Sequence, residues 1–408
     1  MAIRPWRACR KDFVLPLEGV RVVEFAHMVM GPSCGLVLAD LGAEVIKVEP
    51  PEGDNTRRLV GAGAGFYPVF NRNKKSLAVD LKHSDGKKIV EKLIGTADVV
   101  TENFRPGALD KMGLGYQELA AKYPKLVYCS LKGFLDGPYD HRPALDEVVQ
   151  MMGGLAYMTG LPERPLRAGA SVIDIMGGTF GAVGVLAALR EREATGRGRL
   201  VTSALFESTA YLVAQHMAQF ELTGEAPPPM SVKRPAWGIY DIFETADTDG
   251  TDARLFVGVV TDRQWEIFCR EFGLPELAAD ARLRGNADRV RERHWLIPRL
   301  GEILKRLRRA ELAAKLEAAG LPFAPIARPW DLLEDPHLKA SGGLLETRLP
   351  DGRSFHAPTL PLALDGKRLP KRHDPPALGE GARELLSGMG YSDGEIDALA
   401  KERVIVLG

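Results

Sequence analysis

The chain has 408 residues, more than a single hydrophobic core usually organises, so two domains are expected. Hydrophobic residues make up 45% and charged residues 26%, a soluble globular balance, and Lys+Arg equals Asp+Glu at 54 each. That neutrality excludes a global field favouring nucleic acid or an anionic membrane, so any anion must be met by local basic clusters.

Four cysteines, Cys9, Cys34, Cys129 and Cys269, are scattered without a CxxC pair, which points to a reducing, cytoplasmic setting and away from structural zinc. The opening stretch "MAIRPWRACRKDF" is basic but lacks the apolar centre of a secretory signal. No uninterrupted apolar run reaches the ~18 residues of a membrane span.

Along the first half, strand-like and helix-like segments alternate. "VRVVEFA" (20–26) reads as a strand, "CGLVLADLG" as a helix ending on Gly42, and "EVIKVE" (44–49) as the next strand. "DGKKIVEKLIGTA" is an amphipathic helix, "DVVTEN" a strand, "YQELAAKYP" a helix stopped by Pro124, and "LVYCSLKGF" a strand. This alternation predicts an α/β fold with a mostly parallel sheet. "IMGGTFGAVGVLAALRERE" then reads as a buried helix, followed by turn, strand and helix start in "GRGRLVTSALFES".

The Pro-rich stretch 223–239 reads as a linker, because clustered prolines continue neither helix nor sheet. A smaller α+β domain is expected over 240–321, with "RLFVGVV" as a strand and three helical stretches between Arg263 and Gly320. A second linker, 322–335, leads to 336–408, which holds a hairpin turning at Pro350-Asp351-Gly352 and a helical tail. The large domain is then 1–222, completed by 336–408.

"GAGAGF" (61–66) looks like a dinucleotide loop but does not join a strand to a helix, so nicotinamide and flavin are not expected. His27 ends the first strand, where open α/β sheets place ligands, and reads equally as a core histidine. "NRNKKS" (71–76) and "ENFRPG" (102–107), with Lys82, Lys111 and Lys132, supply the amides and cations of phosphate capture on a neutral protein. The oddest residue is Asp174, the one acid in the apolar stretch between Arg167 and Arg190. The residues alone leave it open as a helix cap or a reactive carboxylate.

"PLEGVRVVEFAHMVMGPSCGLVLADLGAEVIKVEPP", "FNRNKKSLAVDLK", "ADVVTENFRPGALDKMGLGYQEL", "SLKGF", "SVIDIMGGTFGAVGVLAALREREATGRG" and "PPALGEGARELL" together resemble the class III CoA transferases, in order and across nearly the whole chain. That superfamily includes formyl-CoA:oxalate transferases, carnitine CoA transferases and 2-methylacyl-CoA racemases. The resemblance implies a Rossmann-like large domain in an interlocked homodimer, with acyl-CoA and a carboxylic acid as substrates and no metal. It makes Asp174 the nucleophile that forms an aspartyl anhydride and an aspartyl-CoA thioester. Gly177 and Gly178, at a strand-to-helix turn, would leave backbone amides for the oxyanion.

For coenzyme A the resemblance implies His27, Met28, Val29, Val79, Lys82, Asn103, Phe104, Arg105, Lys111 and Lys132, with Arg72, Lys74 and Lys75 added for the phosphates. Two departures stand out. Where some relatives stack an arginine on adenine this chain has Pro50, leaving Arg57, Arg58, Arg72 or Lys74 to compensate. The family's glycine-rich lid corresponds to "PAWGIY" (235–240), with Gly238 alone. The racemases' His-Asp pair reads Leu145-Asp146, and leucine carries no proton, which favours transfer over racemisation; a silent CoA-binding protein is the other alternative. Finally, Arg142, Arg164 and Arg167 border the nucleophile by the family pattern, and the run resembles members handling C4–C5 dicarboxylates such as succinyl-, mesaconyl- or itaconyl-CoA. The arginines read equally as surface charges paired with Asp146 and Glu147.

Overall fold

The structure, a computed structural model, describes residues 14–232, 236–248 and 252–408; Cys9, the basic opening stretch and Pro235 lie outside them. The chain divides into two compact units, one of residues up to Ser231 together with His337–Gly408, the other Val232–Pro336.

The first unit is built on β1 (Arg21–Phe25), β2 (Glu44–Glu49), β3 (Lys74–Val79), β4 (Val99–Glu102), β5 (Val127–Lys132) and β6 (Leu200–Ala204). Between them run α1 (Met30–Asp40), α2 (Phe66–Phe70), α3 (Ser84–Ile94), α4 (Tyr116–Lys122), α5 (Asp146–Met152), α6 (Leu155–Thr159) and α7 (Val172–Thr195), with α8 (Leu205–Thr223) after β6. The six strands are parallel in the order β3-β2-β1-β4-β5-β6, the order of doubly wound dinucleotide-binding sheets.

Both faces of the sheet are covered, which is why the strands place apolar residues on both sides and not in strict alternation with polar ones. Val22, Val45, Val127 and Cys129 pack on one side with Leu38 and Val185, and Val23, Ile46, Leu77 and Val100 on the other with Ile89 and Leu93. α7, 24 residues long, packs its Gly177, Gly178 and Gly181 face into this core. A Cβ on Gly178 would lie 2.0 Å from the Ser33 hydroxyl, so glycine is what lets α7 close on α1. By length and composition α7 could also cross a membrane, but this packed face and Asp174 are those of a core helix.

The second unit has β7 (Ile239–Glu244), β8 (Arg254–Val259) and β9 (Phe323–Pro325) in one antiparallel sheet. Its helices are α9 (Asp262–Glu271), α10 (Pro275–Ala279), α11 (Asn286–Arg291), α12 (Arg293–Leu304) and α13 (Arg309–Ala318), five where the sequence reading has three stretches. Gly285 and the segment's short caps divide what periodicity alone runs together.

The chain then returns to the first unit through α14 (Pro336–Ala340), the β10 (Leu344–Arg348) and β11 (Ser354–Pro358) hairpin, β12 (Ala363–Leu364) and β13 (Lys367–Arg368). α15 (Ala382–Gly388) and α16 (Asp393–Lys401) follow, and β14 (Ile405–Val406) adds an antiparallel edge beside β3.

Candidate active site

The strand order reverses between β1 and β4, and ligands of such sheets settle at the carboxyl ends flanking that point. There the structure opens a pocket of about 540 Å³, lined among others by His27, Met28, Pro50, Val79, Lys82 and Phe104. The loop after β1 is fixed, not floppy. Asn103, just past β4, accepts a hydrogen bond from the His27 amide (3.0 Å) and donates to its carbonyl (2.8 Å). Met28 takes a left-handed φ of 63°, and the His27 ring rests 5.5 Å from that of Phe104. Desolvation in this wall holds the His27 imidazole below its ordinary pKa. Val29 is buried beneath the loop.

Below the pocket lies a layer of buried charge. Lys47 donates to the Ala26 carbonyl at 2.5 Å and pairs with Asp54 at 2.9 Å. Lys74 sits 2.9 Å from both oxygens of Glu24, and burial lowers its pKa to about 8. A Cβ on Gly35 would meet the Glu24 carboxylate at 1.7 Å, so α1 needs glycine there.

These partners correct part of the phosphate-binding set. Arg72 is buried and its guanidinium is taken by Asp40 at 2.6 Å. Lys74 is equally enclosed, and Lys75 bridges Glu44 (3.0 Å) and Glu384 (3.1 Å). Arg72 and Lys74 cannot reach a ligand phosphate without leaving Asp40 or Glu24 buried and unpaired, whereas Lys75 and its two acids are partly exposed. Arg57 is likewise fixed between Glu49 and the Tyr67 ring, so of the four residues weighed against Pro50 only Arg58 is exposed. Lys82, Arg105 and Lys111 remain exposed, Lys82 on the pocket wall. Lys132 instead pairs with Glu102 at 2.7 Å and lines a second recess of about 430 Å³.

α7 begins at Val172, earlier than the sequence reading has it, so Asp174 lies inside its first turn. Gly177 and Gly178 therefore stand in the helix interior, not at a strand-to-helix turn. Their amides belong to the helical ladder, and their missing side chains make room for Met30 and Ser33. That packing also fixes the site's location. Gly177 meets Met30, the first residue of α1, which places the start of α7 at the sheet end where the His27–Val29 loop sits.

The start of α7 is capped by Asp146, 28 residues before Asp174. Its Oδ2 accepts from the Ile173 amide (2.9 Å) and the Asp174 amide (3.1 Å), and its Oδ1 accepts from Gln150 (2.6 Å). Asp174 is thus partly buried with a second carboxylate beside it. Desolvation first, then the Asp146 charge, raise its pKa to about 7, while Arg167 pulls the other way. Of the three candidate arginines Arg167 alone bears on Asp174. Arg142 stacks 4.2 Å over Tyr139, Arg164 lies exposed in a bridge with Leu161, and Arg167 itself sits 3.8 Å from Glu147. Asp146 and Gln150 were missed as site residues, although an acid and a glutamine four apart at the head of α5 are visible in the sequence.

Gly238, in the second unit, packs closely on Arg289: a Cβ there would lie 2.4 Å from the Arg289 Cβ. Among the described residues no three His, Cys, Asp or Glu gather to hold a metal.

A doubly wound sheet opens a pocket at its switch point, and the helix packed beside it carries in its first turn a partly buried acid of raised proton affinity. A profile of CoA-transferase family III matches residues 17–382, and the chain belongs to that family and is a CoA transferase. It is 32% identical to the mouse succinyl-CoA:glutarate CoA-transferase over 98% of this chain and 92% of that protein. It is 32% identical to the succinyl-CoA–D-citramalate CoA-transferase of Chloroflexus aurantiacus over 96% of this chain and 98% of that one. Among solved structures it resembles a CAIB/BAIF family protein from Brucella suis, with a TM-score of 0.80 and 33% identity over 92% of this chain and 99% of that one.

Proposed function

We propose that the chain moves CoA between an acyl-CoA thioester and a C4–C5 dicarboxylic acid, with Asp174 as the covalent nucleophile. The observation that carries this is the setting of Asp174: partly dehydrated, next to Asp146, at the end of the sheet that holds the pocket. A carboxylate stripped of water and of raised basicity attacks a carbonyl better than a hydrated one. Its oxygen adds to the thioester carbon and expels CoA thiolate, leaving a mixed anhydride. The thiolate then attacks the aspartyl carbonyl, forming aspartyl-CoA and releasing the first acid. The acceptor carboxylate attacks that thioester, expelling thiolate again, and thiolate attack on the acceptor's carbonyl frees Asp174.

Coenzyme A would occupy the pocket over the His27–Val29 loop, with Lys82, Arg105, Lys111 and Arg58 toward its phosphates. Arg167 supports the diacid reading, since a second, unreacted carboxylate needs a cation close to the nucleophile. So do the named substrates of the two transferases above, succinate with glutarate or citramalate. Leu145 is 64% exposed and occupies the place where a racemase would keep its proton-carrying histidine. A homodimer would cover the apolar residues that α7 and α8 leave in solvent, among them Phe180, Val183, Tyr211, Met217 and Phe220. Cys34, Cys129 and Cys269 are free thiols, in keeping with a reducing cytoplasm.

Incubation with succinyl-CoA followed by hydroxylamine should label Asp174 alone, read by peptide mass spectrometry. Labelling elsewhere overturns the nucleophile. Arg167→Met should depress diacid acceptors far more than monoacids of equal length; equal loss overturns the diacid reading. A folded monomer by sedimentation at micromolar concentration overturns the dimer.

A further inference from the structure

The hydrogen bonds around Asp174 form a chain with a direction. Gln150 is fully buried, its amide oxygen accepting from the Ala168 amide (2.8 Å) and its amide nitrogen donating to Asp146 (2.6 Å). Asp146, itself buried, turns its other oxygen to the amides of Ile173 and Asp174. Every polar atom in this relay has one role. The Ala168 amide fixes which end of the Gln150 side chain is oxygen, and that fixes its nitrogen on Asp146. The relay therefore ties three things together: the loop that carries Arg167, helix α5, and the backbone of the nucleophile.

An acid is an odd choice for this position. A serine or asparagine would cap α7 as well, without adding a charge beside Asp174. We infer that Asp146 is a positioning residue for transfer: held by Gln150, it fixes the backbone of Asp174 and sets a second carboxylate beside it, while coupling both to the Arg167 loop. The inference rests on Asp174 being the nucleophile.

Other charged groups do not duplicate this role. On α5, Glu147 turns toward Arg167. α1 brings Cys34 and Asp40, the latter occupied by Arg72, and α8 brings Glu207, which accepts from the Leu135 amide. β5 brings Cys129 and Lys132, the latter paired with Glu102, and β6 carries no ionisable group. The charges that bear on Asp174 are Asp146, which makes it harder to ionise, and Arg167, which makes it easier.

The test needs variants that separate charge from hydrogen bonding. D146N keeps an oxygen for the two amides but sets its NH2 against that of Gln150. D146N/Q150E repairs this, since the new carboxylate at 150 accepts from both the Ala168 amide and the new amide at 146, one side chain farther from Asp174. Wild type, D146N and D146N/Q150E are compared by hydroxylamine labelling, thermal melting, and the pH profile of kcat with succinyl-CoA. The expected result is that the double variant melts near wild type while the acid limb of its profile falls by about one pH unit. D146A should lower kcat ~10–100-fold with KM for succinyl-CoA little changed, because misplacing a nucleophile costs the chemical step. A double variant with wild-type melting and an unmoved acid limb overturns the inference and leaves Asp146 a simple cap. Absence of label on Asp174 in the wild type instead overturns the nucleophile, a separate failure.

Discussion

Glu24 and Asp174 are both acids withdrawn from water at the same end of one sheet, and they are treated in opposite ways. Glu24 is met by Lys74 at 2.9 Å on both oxygens, with Lys47 at 3.9 Å behind. Asp174 is met by another acid, and its one cation, Arg167, is shared with Glu147. The first arrangement neutralises charge and holds α1 and β3 to β1. The second leaves charge in deficit of partners, which raises the proton affinity of the group and is the setting we propose for a nucleophile.

Removing each acid should separate these roles. Asp174→Ala should abolish transfer, by at least ~10³-fold in kcat, without lowering the melting temperature, because it deletes the proposed nucleophile and no packed apolar group. Retained activity would place the chemistry elsewhere. Lys74→Met should act on the fold instead, destabilising by about 3–5 kcal/mol in denaturant unfolding, since Glu24 is left buried and nearly alone. Adding Glu24→Leu should restore much of that loss; a double variant as unstable as the single would mean the pair is not the reason.

A pH-dependent effect follows from linkage. The folded pKa of Asp174, about 7, lies above the ordinary value of 3.8, so folding favours its protonated form. Its contribution is intact below pH 3.8, declines as pH rises from there, and is fully lost once pH passes about 7. Asp174→Asn should therefore be more stable than wild type at pH 8, by roughly 4 kcal/mol at most, with the gap closing toward pH 4. A gap independent of pH would refute the shift. The smallest effect concerns the pocket rim: CoA affinity should weaken as salt rises, and Lys82→Ala should cost about 2–5-fold at low salt. Salt-independent binding would take the phosphates away from Lys82, Arg105 and Lys111.

Much of the sheet was legible because its strands are covered on both sides. "EVIKVE" is β2 to the residue, and β1, β4 and β5 lie within their predicted segments. Asp174 stood out for the same reason, an acid in an apolar run. What failed depended on distant partners. Arg72 and Lys74 look like an exposed basic loop until Asp40 and Glu24, 32 and 50 residues upstream, are folded against them. The start of α7 was misplaced because its cap comes from Asp146 and not from a neighbour. Gly177 and Gly178 were read as turn glycines because the sequence does not reveal that α1 lies against them.

The last strand carries a consequence for synthesis. β14 pairs Ile405 with Val79 and Val406 with Ala78, so the edge of β3 stays open until those residues leave the ribosome. The second unit, an unbroken stretch from Val232 to Pro336, is complete long before then. A nascent chain therefore carries one finished unit and one sheet with a bare parallel edge, a template for pairing with other chains. Translation that stalls after the second unit would release a species prone to aggregate by that edge, whatever the state of Asp174.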